Sequence, residues 1–331
     1  MKQHTCVKIM VVALLFLFSC KKNDSNTTQP SLGNVYVAGI YLDSFGTALP
    51  VVWENGKATI LDSISGSANC VFVSNNDVYV CGLANNNNKS CAVIWKNNTK
   101  IYVDSTNETD FFSLCEDGNN VYAVGYSNFA GSSCPILWKN GIITKLSSDK
   151  GAASTIKVHE GNEYVVGYIE VGGQYRAVCW KNGVAQYLSN DNSSAYSIGC
   201  SGSDVYILGS TQDSNLQTHN VVWKNGNLIK TSALNENYSS LYVVNNDIYL
   251  SGEVFQNNND IPTIWKNNTS STLPGILSYN NTDGLCVNGS NVYVVGDTYF
   301  DTNLSKPVIW KNRTATLLSD RMGRAYSVFV N

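Results

Sequence analysis

Few side chains in this sequence could carry out chemistry at a defined site. The only histidines are His4, His159 and His219, and no two of them lie close together along the chain. A Ser-His-Asp triad or a three-histidine metal site therefore has almost no material from which to form. The ten cysteines include no Cys-x-x-Cys pair, which argues against a zinc site. The sequence predicts no metal and no organic cofactor.

Most of the carboxylates lie where a turn explains them. Asp77, Asp204 and Asp247 fall in short polar segments, where an Asp side chain caps its own turn. The run of residues 257–260 lacks the alternating acidic ligands of a calcium loop and is expected to be solvated. A carboxylate pair for glycoside hydrolysis remains open, because the separation of two carboxyl groups is a three-dimensional property.

The composition excludes nucleic-acid binding and favours strands and turns. Charged residues make up 14% of the 331 residues and the net charge is −3, whereas an average domain has about 25% charged residues. A nucleic-acid binder would show a basic stripe, which is missing here. The chain is instead rich in turn and strand formers, with 42 Asn, 26 Gly and 19 Tyr. This composition favours an all-β fold with many tight turns.

Two residue series reveal a repeat of about 42 residues. All seven tryptophans belong to the first series, at positions 53, 95, 138, 180, 223, 265 and 310. The second series is a Tyr-x-x-Gly segment that also occurs seven times, with its tyrosines at 36, 79, 122, 164, 206, 249 and 293. Strand-rich units with this period are typical of propeller blades. Helical repeats of similar length would need a 3.6-residue apolar period, which the chain after residue 20 lacks.

Each repeat is interpreted as four strands joined by short connections. A small residue followed by an aliphatic one marks the first strand, Tyr-x-x-Gly the second, and Trp the end of the third. Lys-Asn-Gly or a close variant then predicts a tight turn into the fourth strand. The repeat region begins within a second strand at Asn34 and ends with a first strand at Asn331. Pairing these ends predicts a closed seven-bladed β-propeller of four-stranded antiparallel blades.

The cysteines are expected to be buried thiols for the most part. Eight of them lie beyond residue 20, at positions 70, 81, 91, 115, 134, 179, 200 and 286. Cys115 and Cys286 share one repeat position, and Cys91 and Cys134 share another. Cysteines at equivalent positions of different blades are too far apart to bridge. Cys81 and Cys91, which flank one loop, are the best single disulfide candidate.

The N-terminus resembles a bacterial lipoprotein signal. Lys2 and Lys8 precede an apolar run too short to span a bilayer, followed by Leu-Phe-Ser-Cys at residues 17–20. The resemblance implies removal of residues 1–19, lipidation of Cys20 and a flexible tether over residues 20–33, with residues 34–331 as a single propeller domain. The Cys-Lys-Lys-Asn-Asp start is similar to lipoproteins of the Bacteroides group. This similarity implies an outer-membrane anchor, with the cell surface favoured and the periplasmic side as the alternative.

The repeats also resemble the extracellular repeat family named for its His-Ala-Phe tripeptide. Ala92 and Ala177 stand three residues before Trp, as that family's alanine does, although no His precedes either of them. The resemblance spans residues 34–331. It implies the propeller fold and an extracytoplasmic location only, because that family is defined by its repeats and not by an activity.

A binding site is expected on the face formed by the second–third and fourth–first connections, because these vary in length and composition. The candidate ligand-binding residues are Tyr126, Tyr168, Tyr175, Arg176, Tyr196, Arg321 and Arg324. The favoured function is a monomeric binding module for a glycan or protein ligand. The alternatives are a glycan-active hydrolase or lyase and a structural accessory subunit of an envelope complex.

Overall fold

The computed structural model describes residues 33–86, 89–102, 107–276, 279–299 and 305–331. Every regular element in this part of the chain is a β strand, and Gly33–Asn331 form one compact unit. Cys20 and the expected signal and tether segments lie outside the described residues.

The 28 strands follow the fourfold period of the repeats. The first fourteen are β1 Val35–Leu42, β2 Ala48–Glu54, β3 Lys57–Ile60, β4 Gly66–Ser74, β5 Asp77–Asn86, β6 Lys89–Lys96, β7 Thr99–Tyr102, β8 Thr109–Asp117, β9 Asn120–Phe129, β10 Ser132–Lys139, β11 Ile142–Lys145, β12 Gly151–His159, β13 Asn162–Val171 and β14 Gln174–Lys181. The remainder are β15 Val184–Tyr187, β16 Ser193–Ser201, β17 Asp204–Gln212, β18 Thr218–Lys224, β19 Asn227–Thr231, β20 Glu236–Val244, β21 Asp247–Gln256, β22 Asn259–Lys266, β23 Thr269–Thr272, β24 Tyr279–Asn288, β25 Asn291–Tyr299, β26 Ser305–Lys311, β27 Thr314–Leu317 and β28 Gly323–Val330.

These strands form seven four-stranded antiparallel blades, as the repeats predict. Blade 1 has the order β28-β1-β2-β3, and blades 2 to 7 each contain four consecutive strands from β4 onward. The first strands of neighbouring blades contact one another all the way round the centre. The C-terminal strand β28 pairs with β1 from Val35↔Val330 to Tyr41↔Gly323, with one register shift. The ring is therefore closed by the two ends of the chain.

The tryptophan series forms the packing between blades. All seven tryptophans are buried, and four of them have no exposed surface. Trp180 of blade 4 packs in one cluster with Tyr122 and Val124 of blade 3. Its neighbour along β14, Cys179, faces the opposite way and packs with Ala195 and Ile198 of blade 5. Each blade thus buries both faces against its neighbours, which is why its strands contain almost continuous apolar runs.

The glycine of each Tyr-x-x-Gly segment lies opposite a β-bulge. In blade 4 the register between β12 and β13 shifts between Ala153 and Thr155, which leaves Ser154 without a partner. The shift brings the Ala152 carbonyl oxygen to 2.1 Å from where a Cβ on Gly167 would lie. Any side chain would therefore collide with the backbone of the first strand. In each of the other six blades, a Cβ on the repeat glycine would likewise lie only 1.9–2.2 Å from a carbonyl oxygen of the first strand.

The small residue of the first strand links adjacent blades around the centre. The Ser197 hydroxyl of blade 5 accepts a hydrogen bond from the Leu241 amide of blade 6 at 3.2 Å and donates one to the Leu241 carbonyl at 3.4 Å. The Ser113 hydroxyl accepts from the Ile156 amide at 3.5 Å, and Ser327 accepts from Val71 at 3.3 Å. The small–aliphatic residue pair of the first strand therefore marks where adjacent blades hydrogen-bond to each other.

Cys81 and Cys91, the best disulfide candidate in the sequence, are not bridged, which agrees with the expectation of buried thiols. Cys81 lies opposite Ile94, whereas Cys91 lies opposite Ala84, so the two cysteines are three residues out of register on β5 and β6. Side chains alternate between the two faces of a strand, so these thiols point to opposite sides of the blade. Both cysteines are buried thiols. The other six cysteines from Cys70 to Cys286 are also thiols, of which Cys70 and Cys200 are half-buried and the rest are buried.

Candidate functional site

One face of the ring is formed by turns whose side chains hydrogen-bond to other turn residues of the same blade. This turn face contains the first–second and third–fourth connections of every blade. In blade 3 the Asn140 side-chain oxygen accepts a hydrogen bond from the Val121 amide at 2.8 Å, and its nitrogen donates to Asn120 Oδ1 at 2.8 Å. The equivalent asparagine makes the same two bonds in all seven blades. These side chains hold the turns together.

In six blades a lysine precedes this asparagine and contacts an aromatic ring of its own blade. Lys139 lies over the Tyr122 ring at 4.8 Å, and five other blades place a lysine over the tyrosine of their Tyr-x-x-Gly segment. In blade 1 the equivalent Glu54 accepts a hydrogen bond from Tyr36. Such contacts between a cation and a ring are attractive because the face of an aromatic ring carries partial negative charge. The repeated polar residues of the turn face therefore have a structural explanation.

The opposite, variable face holds the second–third and fourth–first connections. Only residues 172 and 173 separate β13 from β14, whereas five residues separate β17 from β18. Tyr126 and Tyr168 directly follow a repeat glycine near this face and are half-buried. Tyr126 lies 5.8 Å from the Phe112 ring, and Tyr168 meets Tyr175 edge-on at 5.0 Å. Burial raises the pKa of both Tyr126 and Tyr168.

A small notch opens beside Tyr175 at the boundary of blades 4 and 5. Its volume is about 120 Å³, and it is lined by Tyr175, Asn192, Ser193, Ser194, Ser210, Gln212 and Thr218. All seven side chains are uncharged, and each can both donate and accept hydrogen bonds through a hydroxyl or amide group. Tyr175 is 50% exposed, so its ring is open to a ligand.

Hydrogen bonds hold the polar wall of this notch in place. Asn192 accepts from the Tyr175 amide at 3.0 Å and donates to Gln212 Oε1 at 3.0 Å. The hydroxyls of Ser194 and Ser210 lie 3.1 Å apart, across the pairing of β16 with β17. The notch is therefore rigid on both sides, with one aromatic wall from blade 4 and one polar wall from blade 5.

Arg176, the neighbour of Tyr175, faces away from the notch. Arg176 pairs with Ile169, which packs toward blade 3, whereas Tyr175 points toward blade 5. The Nη1 atom of Arg176 is buried without a hydrogen-bond partner. The structure thus brings Tyr168 and Tyr175 together and separates Arg176 from them.

Tyr196 is half-buried, and its hydroxyl is bonded to groups within the ring. Its hydroxyl donates toward the carbonyl oxygens of Gly209 and Tyr238, at 3.1 Å each, and accepts from Asn220. Burial raises the pKa of Tyr196 well above its usual range. Tyr196 therefore links blade 5 to blade 6 below the variable face.

Arg321 and Arg324 lie at the opposite side of the ring, around blades 7 and 1. Arg321 lies over the Tyr41 ring at 5.8 Å, and Arg324 lies over the Tyr299 ring at 5.9 Å. The Arg324 Nε atom is 3.9 Å from an Asp297 oxygen. These two arginines are thus apart from the notch of blades 4 and 5.

Three carboxylates grouped around Asp283 form an acidic rim that the sequence analysis missed, and Arg324 lies near two of them, Asp283 and Asp297. The rim consists of Glu253, Asp283 and Asp297. Glu253 and Asp297 directly follow a repeat glycine, the position that holds Tyr126 and Tyr168 in blades 3 and 4. In the other five blades the residue after the repeat glycine is uncharged. The two acidic residues at this position were therefore the sequence signal that pointed to the rim.

Burial changes the protonation chemistry of the rim. Glu253 accepts hydrogen bonds from the Thr282 amide at 2.6 Å and the Thr282 hydroxyl at 2.9 Å. Burial nevertheless raises the pKa of Glu253 and of Asp297. For Asp283, burial together with the charges of Asp297 and Glu253 raises the pKa to about 7. The rim can therefore hold a proton near neutral pH.

His159 and His219, the histidines among the described residues, do not form a site together. His219 lies 3.4 Å from an Asp213 oxygen, while the His159 Nε2 atom lies 2.6 Å from the Gly202 carbonyl oxygen on the turn face. Within the described ranges, no group of three or more His, Cys, Asp or Glu side chains is arranged to hold a metal ion. In that same portion of the chain, no helix has the length and apolar character needed to cross a membrane.

Solved structures similar to this chain are propellers or contain one. TolB from Acinetobacter baumannii is 11% identical, with 89% of this chain and 66% of TolB aligned at a TM-score of 0.50. A Mycobacterium tuberculosis puromycin-hydrolyzing peptidase is 10% identical, with 88% of this chain and 52% of the peptidase aligned at 0.59. This chain thus spans about half to two thirds of the length of these two proteins.

The propeller domain of the Trilobed protease from Pyrococcus furiosus matches over most of its length. The two chains are 13% identical, with 88% of this chain and 96% of that domain aligned at a TM-score of 0.54. That domain has an open velcro topology, whereas β28 pairs with β1 in this chain. No protein-family model and no curated protein sequence matches the chain. At these identities the similarities establish the fold alone.

Proposed function

We propose that this chain is a lipid-anchored, extracytoplasmic binding module that takes a neutral glycan at the notch between blades 4 and 5. The observation that carries the proposal is the aromatic wall of Tyr175, supported edge-on by Tyr168, facing a wall of uncharged hydroxyl and amide groups. A sugar ring offers an apolar face of C–H groups and a rim of hydroxyls, and this notch offers a complement to each.

The size of the notch favours a sugar over a protein ligand. A volume of about 120 Å³ suits a single sugar ring at the end or side of a glycan. A stable protein interface needs roughly 800 Å² on each partner. The absence of charge among the notch residues favours a neutral sugar over an acidic one, because a buried carboxylate needs a charged partner.

The test compares Tyr175→Ala with Tyr187→Ala in a screen of immobilised neutral oligosaccharides. Tyr175 and Tyr187 belong to the same blade and are 50% and 53% exposed, but Tyr187 lies on the outer strand β15 away from the notch. We expect Tyr175→Ala to weaken binding at least tenfold, which is about 1.4 kcal/mol, and Tyr187→Ala to leave it unchanged. Equal effects, or no oligosaccharide bound by the wild-type protein, would contradict the proposal.

The acidic rim supports a glycan-active hydrolase or lyase as the alternative function. A carboxyl group with a pKa near 7, as at Asp283, is suited to general acid catalysis at neutral pH. Product release separates the two functions, since a binding module leaves the oligosaccharides intact. If fragments appear, Asp283→Asn should abolish their release while Tyr187→Ala does not.

The anchor is proposed from the sequence of residues 1–20. Lipidation of Cys20 would place the propeller at an envelope membrane, with the cell surface favoured. Its test is metabolic labelling with an alkyne-tagged fatty acid, in which the wild-type protein should be labelled and Cys20→Ala should not. Accumulation of the uncleaved precursor is expected in the same variant.

A further inference from the structure

Two thiols of blade 2 lie directly opposite each other on neighbouring strands. Cys70 on β4 is the register partner of Cys81 on β5. Directly opposed residues of an antiparallel pair have Cα atoms about 4.5 or 5.5 Å apart, depending on the pair type. Both values fall within the range of about 4.4–6.8 Å that a disulfide requires. The backbone at this position therefore already has the spacing for a bridge.

The side chains of this pair point to the same side of the blade. Both cysteines pack in the apolar cluster between blades 2 and 3. The Cys70 Sγ atom lies 3.9 Å from the Leu114 carbonyl oxygen, and the Cys81 Sγ atom lies 3.9 Å from the Phe111 carbonyl oxygen. Both acceptors belong to one strand, β8 of blade 3. The two sulfurs are thus held side by side against the same neighbour.

The two thiols differ in reactivity. Cys81 is completely buried, whereas Cys70 is partly exposed in the inner strand. The neighbouring Cys81 thiol lowers the pKa of Cys70 below its usual range. Burial raises the pKa of Cys81 well above its usual range. Cys70 is therefore the thiolate that would react first with an incoming oxidant, because nucleophilic attack needs the deprotonated sulfur.

We propose that Cys70 and Cys81 form a disulfide across β4 and β5 when the protein meets a small disulfide oxidant. The Cys70 thiolate attacks one sulfur of the oxidant, forms a mixed disulfide and releases one thiolate. Cys81 then loses its proton, attacks the Cys70 sulfur and releases the second thiolate. The two cysteines lose two electrons and two protons, and the oxidant takes them up as two thiols.

Other pairs of cysteines do not share this arrangement. Cys179 and Cys200 are close enough for the charge of Cys200 to raise the pKa of Cys179. They belong to different blades, however, on β14 and β16, so they are not opposed on neighbouring strands of one sheet. Cys91 lies opposite Ala84. Within the described residues, Cys70 and Cys81 are the directly opposed cysteine pair.

Trypsin makes the proposal directly testable. Cleavage after Lys57 and Lys89 leaves Cys70 and Cys81 together in the peptide of residues 58–89, while Cys91 falls in the peptide of residues 90–96. The purified full chain is treated with oxidised glutathione, quenched in acid, unfolded in the presence of N-ethylmaleimide and digested. We expect the 58–89 peptide to carry no maleimide and to be lighter by two hydrogen atoms, while the 90–96 peptide is alkylated.

Two substitutions complete the test. Cys70→Ser restores the residue that Ser113, Ser197 and Ser327 provide in other blades, and it should leave one maleimide on Cys81 after the same treatment. Cys91→Ser should not affect the bridge. Two maleimides on the 58–89 peptide, a stable glutathione adduct on Cys70, or a cross-link between the two peptides would each overturn the proposal.

Discussion

Asp283 shows how the ring changes the chemistry of a single side chain. It is the residue that the register shift between Thr282 and Gly284 leaves unpaired on β24. Burial and the neighbouring carboxylates of Asp297 and Glu253 raise its pKa to about 7. An unfolded chain gives an Asp a pKa of about 3.9. The folded protein therefore holds an extra proton between about pH 4 and pH 7, and its stability falls as the pH rises through that window.

Asp283→Asn should remove this pH dependence. The free energy of unfolding of the variant, relative to wild type, should increase by about 2–4 kcal/mol between pH 4 and pH 8. Urea unfolding at the two pH values measures this difference. Asp117→Asn, at the exposed end of β8 in blade 3, makes the same charge change away from the rim and is the matched control. A constant difference for Asp283→Asn would show that its carboxyl group titrates normally.

The location of single residues was predictable only where the repeat fixed it. Tyr126 and Tyr168 follow a repeat glycine, so the sequence placed them at the variable face. The half-buried position of Tyr196 depends on the bulge between Ala195 and Ser197, which has no signature in one sequence. The notch likewise joins Tyr175 to Gln212 from a different blade, and contacts between blades are not visible in a repeat pattern.

The third–fourth turn shows why asparagine recurs at one position of every repeat. At Asn140 and Gly141 the backbone φ angles are +45° and +95°. This left-handed conformation is unfavourable for most residues and is tolerated best by Gly and Asn. Asparagine also supplies the acceptor for Val121 and the donor for Asn120. Glycine would satisfy the conformation alone, so the hydrogen bonds account for the choice of asparagine.

Substitutions at Asn140 should separate these two contributions. Asn140→Gly keeps the favoured φ but loses both hydrogen bonds, and should reduce the free energy of unfolding by about 1 kcal/mol. Asn140→Ala loses the bonds and adds backbone strain, and should cost about 2 kcal/mol. Urea unfolding of both variants measures the costs. If the alanine variant were no less stable than the glycine variant, backbone strain would not contribute at this turn.

The strands and turns were predictable because each one repeats seven times, but their bulges were not. The Tyr-x-x-Gly series marked the second strand correctly, and Gly167 lies on β13 as expected. The reason for the glycine is the Ala152 carbonyl that the bulge brings to its position. That approach depends on the pairing of β12 with β13. A sequence therefore shows that a glycine is required without showing the contact that requires it.

Closure of the ring depends on a single strand from the far end of the chain. β28 supplies the inner strand of blade 1, and it also contacts β24 of blade 7 and β4 of blade 2. Val328 and Val330 of β28 pack with Val37 and Trp53 of blade 1. Loss of this strand would leave β1 with unpaired backbone groups and an uncovered apolar face, while the other six blades would keep all four strands.

Deletion of residues 325–331 should therefore open the ring and cause association. The exposed edge of β1 is expected to pair with other copies, as unprotected hydrophobic edges do. Size-exclusion chromatography with light scattering measures the association, and thermal unfolding measures the loss of stability. Deletion of Asn331 alone is the matched control, because it removes one hydrogen bond to Asn34 and leaves β28 intact. A longer deletion that stayed monomeric with an unchanged unfolding profile would show that the six complete blades hold the structure without closure.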